Sequence, residues 1–247
     1  MILPPALSVV IPAYNEEKRL PRTLARVRGY LRDAHPASEV IVVDDGSTDD
    51  TAEVVAQWQK EMPELRLVSN GRNRGKGYSV RNGMLEARGR VALFTDADLS
   101  APIEEAEKLL AALEAADIAI GSRAVDRSLI AVHQSRAREL AGILFNWTVR
   151  LFTGLRFQDT QCGFKAFAMP EARIIFEQQQ IEDFGFDPEI LFLAERHGLR
   201  SVEVPVRWAH DRATKVHVAR DSARMFLDLL RIRWNAMAGR YPRQSEQ

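Results

Sequence analysis

Asp96 and Asp98 stand two residues apart in Thr95-Asp96-Ala97-Asp98, at the end of the apolar run Val91 to Thr95. In an extended segment alternate side chains point the same way, so this spacing aims both carboxylates at one place. Two hard oxygen ligands suit magnesium or manganese, which complete their shells with water and substrate phosphates. Upstream, Asp44 and Asp45 are adjacent after a second apolar run, Val40 to Val43. Neighbouring carboxylates repel unless something binds them, and ribose hydroxyls or base N–H donors would do so. The plainer alternative is a turn before a helix, with Ser47 as cap and Asp50 in the first turn.

Cations complement these acids. Asn70-Gly71-Arg72-Asn73-Arg74-Gly75-Lys76-Gly77 places three cations and three glycines ahead of a helical pattern. Glycine lets backbone approach a ligand closely, and cations at a helix start favour phosphate. The segment is not a Walker loop, because Gly77 rather than Ser or Thr follows Lys76. In the second half, Asp211-Arg212-Ala213-Thr214-Lys215-Val216-His217 is a polar loop whose Arg212 and Lys215 could clamp another phosphate. The five histidines, His35, His133, His197, His210 and His217, are too scattered to suggest zinc.

These groups need a scaffold that brings segment ends together. Leu7 to Ile11, Val40 to Val43, Leu65 to Ser69, Val91 to Thr95 and Ile118 to Gly121 read as strands. Helical patterns over Leu20 to Leu31, Thr51 to Gln59, Tyr78 to Ala87 and Pro102 to Ala115 fill the gaps. Strand–helix alternation predicts an α/β fold with a mostly parallel, covered sheet, whose ligands sit beyond the carboxyl ends of the strands.

Composition is compatible with this. The chain has 247 residues, 46% hydrophobic and 28% charged, with 34 acidic against 34 basic groups, so no global charge draws it to nucleic acid. Cys162 is the sole cysteine, which excludes an intrachain disulfide and points to a reducing compartment. No apolar run reaches the ~18 residues of a spanning helix, and no secretory signal opens the sequence. The expected location is the cytoplasmic face of a membrane, reached peripherally.

Val10-Ile11-Pro12-Ala13-Tyr14-Asn15-Glu16, Val42-Val43-Asp44-Asp45-Gly46-Ser47-Thr48-Asp49 and Asp96-Ala97-Asp98 together resemble the family-two inverting glycosyltransferases with the GT-A nucleotide-sugar fold. Asn73-Arg74-Gly75-Lys76-Gly77, Gly121-Ser122-Arg123 and Gln158-Asp159-Thr160-Gln161-Cys162-Gly163-Phe164-Lys165 are similar to the dolichyl-phosphate glucosyl branch. The resemblance implies a nucleotide-sugar site at Pro12, Tyr14, Glu16, Asp44, Asp45, Lys76, Asp96, Ala97 and Arg123. It implies Mg2+ or Mn2+ on Asp98, supported by Asp96, and an acceptor phosphate near Gln161, Arg212 and Lys215. Catalytic roles are then expected of Asp98, Asp159 and Lys215. Residues 1–125 would form the donor half, 126–218 the acceptor half, and 219–247 an amphipathic helix and tail.

The resemblance also sets out what differs. Ala213-Thr214-Lys215 stands where Gly-X-Ser-Lys is more usual, and the amino-terminal membrane anchor of the eukaryotic branch is not expected, so the lipid need not be dolichol. An anionic lipid phosphate attacks without losing a proton, whereas a sugar hydroxyl needs a carboxylate base, for which Asp159 and Asp187 are the candidates. UDP-glucose is the expected donor, with a GDP-mannose enzyme, a soluble transferase acting on a hydroxyl, and a non-catalytic nucleotide module as alternatives. Two segments, Gln134 to Thr153 and Arg220 to Trp234, alternate apolar residues with arginines and predict surface contact with anionic lipid, against core packing or a dimer face. Sequence leaves the oligomeric state open.

Overall fold

The computed structural model describes residues 5–132, 136–209 and 218–242. Its first half follows the alternation: β1 (Leu7–Ala13), α1 (Leu20–Ala34), β2 (Ser38–Asp44), α2 (Thr51–Trp58), β3 (Leu65–Ser69), α3 (Lys76–Glu86), β4 (Val91–Thr95), α4 (Ala106–Ala112) and β5 (Ile118–Ser122). A 3-10 turn, Ile103–Glu105, leads into α4, so the helix expected from Pro102 begins later in regular form. The second half contributes β6 (Ile130–Val132), α5 (Arg136–Thr153), β7 (Phe164–Ala168), α6 (Met169–Gln178), α7 (Phe186–Arg196), β8 (Ser201–Pro205), β9 (Trp208–Ala209) and α8 (Val218–Met237).

Seven strands form one sheet in the order β3-β2-β1-β4-β7-β5-β8. The pairs β1/β2, β1/β4, β2/β3 and β5/β8 are parallel, while β7 runs antiparallel between β4 and β5. Strand periodicity sends alternate residues to opposite faces. Thus Val9, Ile11, Val40 and Val42 join Leu20, Leu24 and Val27 of α1 on one face. Val10, Ile41, Val43 and Phe94 join Val80 and Met84 of α3, Phe176 of α6 and Ile190 of α7 on the other. Both faces are covered, which explains why the strands read as continuous apolar runs.

This topology brings the carboxyl ends of β1, β2, β4 and β5 to one edge. Because β7 is reversed, its start lies at the same edge, where Phe164 pairs with Thr95. The segment preceding β7 is thereby laid beside Asp96 and Asp98.

Candidate active site

The first two loops at this edge are locked to each other. Asn15 adopts a left-handed backbone at φ 54°, which asparagine tolerates. Its N–H donates to Ser47 Oγ at 2.9 Å, and its side-chain oxygen accepts from the Thr48 amide at 2.8 Å. The Glu16 amide donates to Thr51 Oγ1 at 2.8 Å, and the Glu16 carboxylate pairs with Arg19 at 3.1 Å. Ser47 therefore serves the first loop rather than capping α2, whose cap position makes no side-chain hydrogen bond. Pro12 lies in β1 opposite Val43, and Tyr14 is exposed at the rim.

Asp44 and Asp45 are both buried. Asp44 Oδ1 accepts from the Ser47 amide at 3.0 Å. Asp45 turns to the glycine-rich loop: Oδ1 accepts from Asn70 Nδ2 at 2.8 Å and the Arg74 amide at 2.9 Å, and Oδ2 from the Gly75 amide at 2.9 Å. Repulsion between the adjacent acids is answered by protein donors, and Asp45 fixes the loop that carries Lys76.

Lys76 starts α3 and reaches across the edge to Asp96 Oδ1 at 2.6 Å. Burial works against its charge, yet Asp96, Asp187 and Asp98 outweigh that and hold the amine above its ordinary value. Asp98 Oδ1 accepts from the Ser100 amide at 2.8 Å. Burial, and then the charge of Asp96, push the Asp98 carboxyl above the usual carboxylate range. Between the two acids, the Ala97 carbonyl accepts from Thr23 Oγ1 at 2.5 Å. Leu99, which follows, is held at φ 47°, a strained conformation for a branched apolar residue and one that persists where the surroundings over-determine it.

The segment before β7 closes the other side. A Cβ on Gly163 would lie 2.2 Å from Asp96 Oδ2, so only glycine lets this backbone approach the acid. Asp159 forms a bidentate pair with Arg123, at 2.6 Å to Nε and 2.7 Å to an Nη. Burial alone would raise the Asp159 carboxyl, but the Arg123 charge and hydrogen bonds prevail and hold it below its usual range. Gln161 is half-buried and points its amide at Met225 Sδ of α8, 3.9 Å away. Asp187, in the first turn of α7, is buried and pairs with the fully buried Lys165. Arg212 and Lys215 lie outside the described residues.

Asp96 and Asp98 fit a divalent ion, since burial and mutual repulsion leave Asp98 disfavoured as a free carboxylate, a penalty that a bound cation relieves. Among the described residues no group of three or more His, Cys, Asp or Glu side chains is arranged to hold a metal. An ion here would thus take its further ligands from water and from substrate phosphate. The site as a whole sets two acids among Lys76 and Arg123 at a sheet edge, an arrangement suited to a diphosphate with its counter-ion.

A model of glycosyl transferase family 2 matches residues 8–169, which include both loops, the acid pair and the segment before β7. The chain belongs to this family. It is a glycosyltransferase with the GT-A fold. It is similar to the dolichyl-phosphate beta-glucosyltransferase of Drosophila melanogaster, 40% identical over 85% of this chain and 69% of that protein. The namesake from Saccharomyces cerevisiae is 35% identical over 95% of this chain and 76% of its own. Among solved structures, glucosyl-3-phosphoglycerate synthase from Mycobacterium tuberculosis, in complex with Mn2+, UDP-glucose and phosphoglyceric acid, aligns with TM-score 0.65 at 20% identity, covering 95% of this chain and 80% of that one. A mannosyltransferase from Pyrobaculum calidifontis in complex with GDP-Man and Mn2+ aligns at 0.59 and 21% identity, over 93% and 65%. These two share the fold, and the fold accommodates both nucleotides.

Sequence reasoning placed Lys165 at the end of the Gln158–Lys165 motif but gave it no role; a second signal was its position inside the otherwise apolar pentapeptide Phe164-Lys165-Ala166-Phe167-Ala168, where a charge is costly unless paired.

Proposed function

We propose that this glycosyltransferase moves glucose from UDP-glucose to a dolichyl-type polyprenyl phosphate, with inversion, at a membrane surface. The observation that carries this reading is the likeness, at 34–40% identity over 85–95% of the chain, to proteins named dolichyl-phosphate beta-glucosyltransferase. At 95% of this chain, the likeness to the Saccharomyces cerevisiae protein takes in most of residues 126–247 as well as the donor motifs.

In this reading Asp98, with Asp96, holds Mg2+ or Mn2+, which would supply charge stabilisation to the departing diphosphate. Lys76 and Arg123 face the same leaving group as cations, with Lys215 as a further candidate, and Gln161, Arg212 and Lys215 are assigned to the acceptor phosphate. Asp44 and the rim residues Pro12, Tyr14 and Glu16 border the nucleoside. Asp45 acts through the loop it ties down, since both its oxygens already accept from that loop.

The two candidate bases favour an acceptor that needs no deprotonation. Asp159 has both oxygens on Arg123 and is held weakly basic, and Asp187 is enclosed with Lys165. A phosphate monoester is already anionic and can attack the anomeric carbon from the face opposite the diphosphate, which inverts it. A soluble transferase acting on a hydroxyl would want one of these acids free.

The membrane reading rests on α5 and α8, which pack on each other. Leu140, Ile143, Leu144, Trp147 and Leu151 of α5, and Leu227, Leu230, Trp234 and Met237 of α8, are exposed. Their spacings of three and four place each set on one helix face. No described helix is long and apolar enough to cross a membrane, so contact would be with the surface.

The deciding experiment supplies the purified protein with labelled UDP-glucose or GDP-mannose, Mn2+, and dolichyl phosphate in vesicles, then extracts product into organic solvent. Glucose label in the organic phase, formed faster than mannose label, is expected. Faster mannosyl transfer, or label that stays water-soluble on a sugar acceptor, overturns the assignment.

A further inference from the structure

Lys165 is fully buried in the middle of the sheet, paired in register with Phe94 of β4 and Ile120 of β5. A buried ammonium is expensive unless its donors are matched. Here Nζ donates to the Cys162 carbonyl at 2.6 Å and to Asp187 Oδ1, and lies 5.2 Å from the centre of the Phe94 ring. Apolar residues would pack this position at less cost, so the charge calls for a role beyond filling space.

Both partners lead to the acid pair. The Cys162 carbonyl belongs to the turn whose next residue, Gly163, abuts the Asp96 carboxylate. Asp187 follows Phe186 in the first turn of α7, and that turn abuts the start of α3: a Cβ on Gly77 would lie 2.7 Å from Phe186 Cβ, and the preceding Lys76 grips Asp96 Oδ1 at 2.6 Å. One cation thus anchors the turn that abuts Asp96 and the helix start that abuts Lys76. We propose that Lys165 is a positioning residue: through Asp187 and the Cys162 carbonyl it sets the Lys76–Asp96 geometry on which the donor diphosphate is received. It touches no substrate. The inference rests on the reading of that cluster as the donor site.

The test compares Lys165→Met/Asp187→Leu, which removes both charges together, with Asp187→Asn, which keeps the shape and one acceptor. Each is assayed for melting temperature, for UDP affinity by calorimetry with and without Mn2+, and for kcat and KM per folded molecule. The expected result is at least a tenfold fall in kcat with several-fold weaker UDP binding in the double variant, even where its melting temperature matches the parent. Asp187→Asn should shift both quantities in the same direction. Wild-type kcat and UDP affinity in either variant overturns the inference, including the case in which the double variant does not fold and Asp187→Asn behaves as the parent. An Asp98→Ala variant is run alongside: if it too binds UDP and turns over normally, the donor-site reading itself fails, whereas its loss beside normal Lys165 variants defeats only the positioning role.

Discussion

Asp98 illustrates how a residue's surroundings prescribe its partner. Burial and the adjacent Asp96 raise the energy of its charged form, so a divalent ion binding there returns more than it would to a solvated carboxylate. Asp98→Ala should therefore lower kcat by about a thousandfold, several kcal/mol of leaving-group stabilisation, and excess chelator should do the same to the parent. Full turnover in chelator would falsify metal dependence. Asp159 makes a different prediction, because its removal strands a half-buried guanidinium. Asp159→Ala should cost about 3–5 kcal/mol in denaturant unfolding, and a loss under 1 kcal/mol would show that Arg123 finds another partner. The acids were legible in the sequence because each follows an apolar run. Their partners were not: Arg123 and Asp159 are 36 residues apart, Lys165 and Asp187 are 22 apart, and only the sheet order brings them together.

At the scale of elements, the first five strands and their helices could be read from period alone, since each parallel strand is a short apolar run between helical patterns. The antiparallel β7 escaped, because its pentapeptide carries a lysine and because strand direction is set by how the chain returns to the sheet. A related feature is the brace behind the glycine-rich loop. Glu189 of α7 accepts from the Gln180 and Ile181 amides and from the Tyr241 hydroxyl, and the Glu182 carbonyl accepts from the Tyr78 amide. The segment joining α6 and α7 thereby connects the carboxyl-terminal region to the glycine-rich loop and the start of α3. Asp228 of α8 lines a cavity of about 350 Å³ with Arg74, Glu182, Asp183 and Arg231. Burial, with a contribution from Asp183 against Arg231 and Arg224, pushes its carboxyl up to about 6. An unfolded aspartate titrates near ~3.9, so between the two values the folded state binds more protons and stability falls as pH rises. Asp228→Asn should melt higher than the parent at pH 7, and this advantage should shrink as pH falls through that window. A constant difference between pH 4 and pH 7 would remove the titration from the account.

Over the whole molecule, acidic and basic groups balance at 34 each, so long-range attraction to an anionic bilayer is weak and any binding must arise from a local face. The face proposed for it is the exposed apolar stripe shared by α5 and α8. With the helical repeat, Arg224 and Arg231, seven apart, flank the α8 stripe on one side and Arg233 flanks it on the other, all exposed. Arg224 also lies 3.8 Å from Asp183, and Arg231 borders the polar cavity, so neither is wholly given to lipid. Each basic residue near an anionic surface contributes about 1 kcal/mol, whereas burying a large apolar side chain completely contributes about 1.5–3 kcal/mol. Nine such side chains on two helices outweigh three arginines even when each is only partly inserted. Salt should accordingly weaken co-sedimentation with anionic vesicles without abolishing it, and Arg224→Gln/Arg231→Gln/Arg233→Gln should act to a similar extent. Leu144→Ser/Trp147→Ser/Leu227→Ser should release the protein and slow transfer to a long-chain lipid phosphate, while UDP affinity stays at the parental value, because the substituted side chains are exposed ones. Co-sedimentation unchanged by the serine substitutions would assign the stripe to a partner other than lipid, and sedimentation equilibrium of the parent would then decide whether that partner is a second copy of the chain.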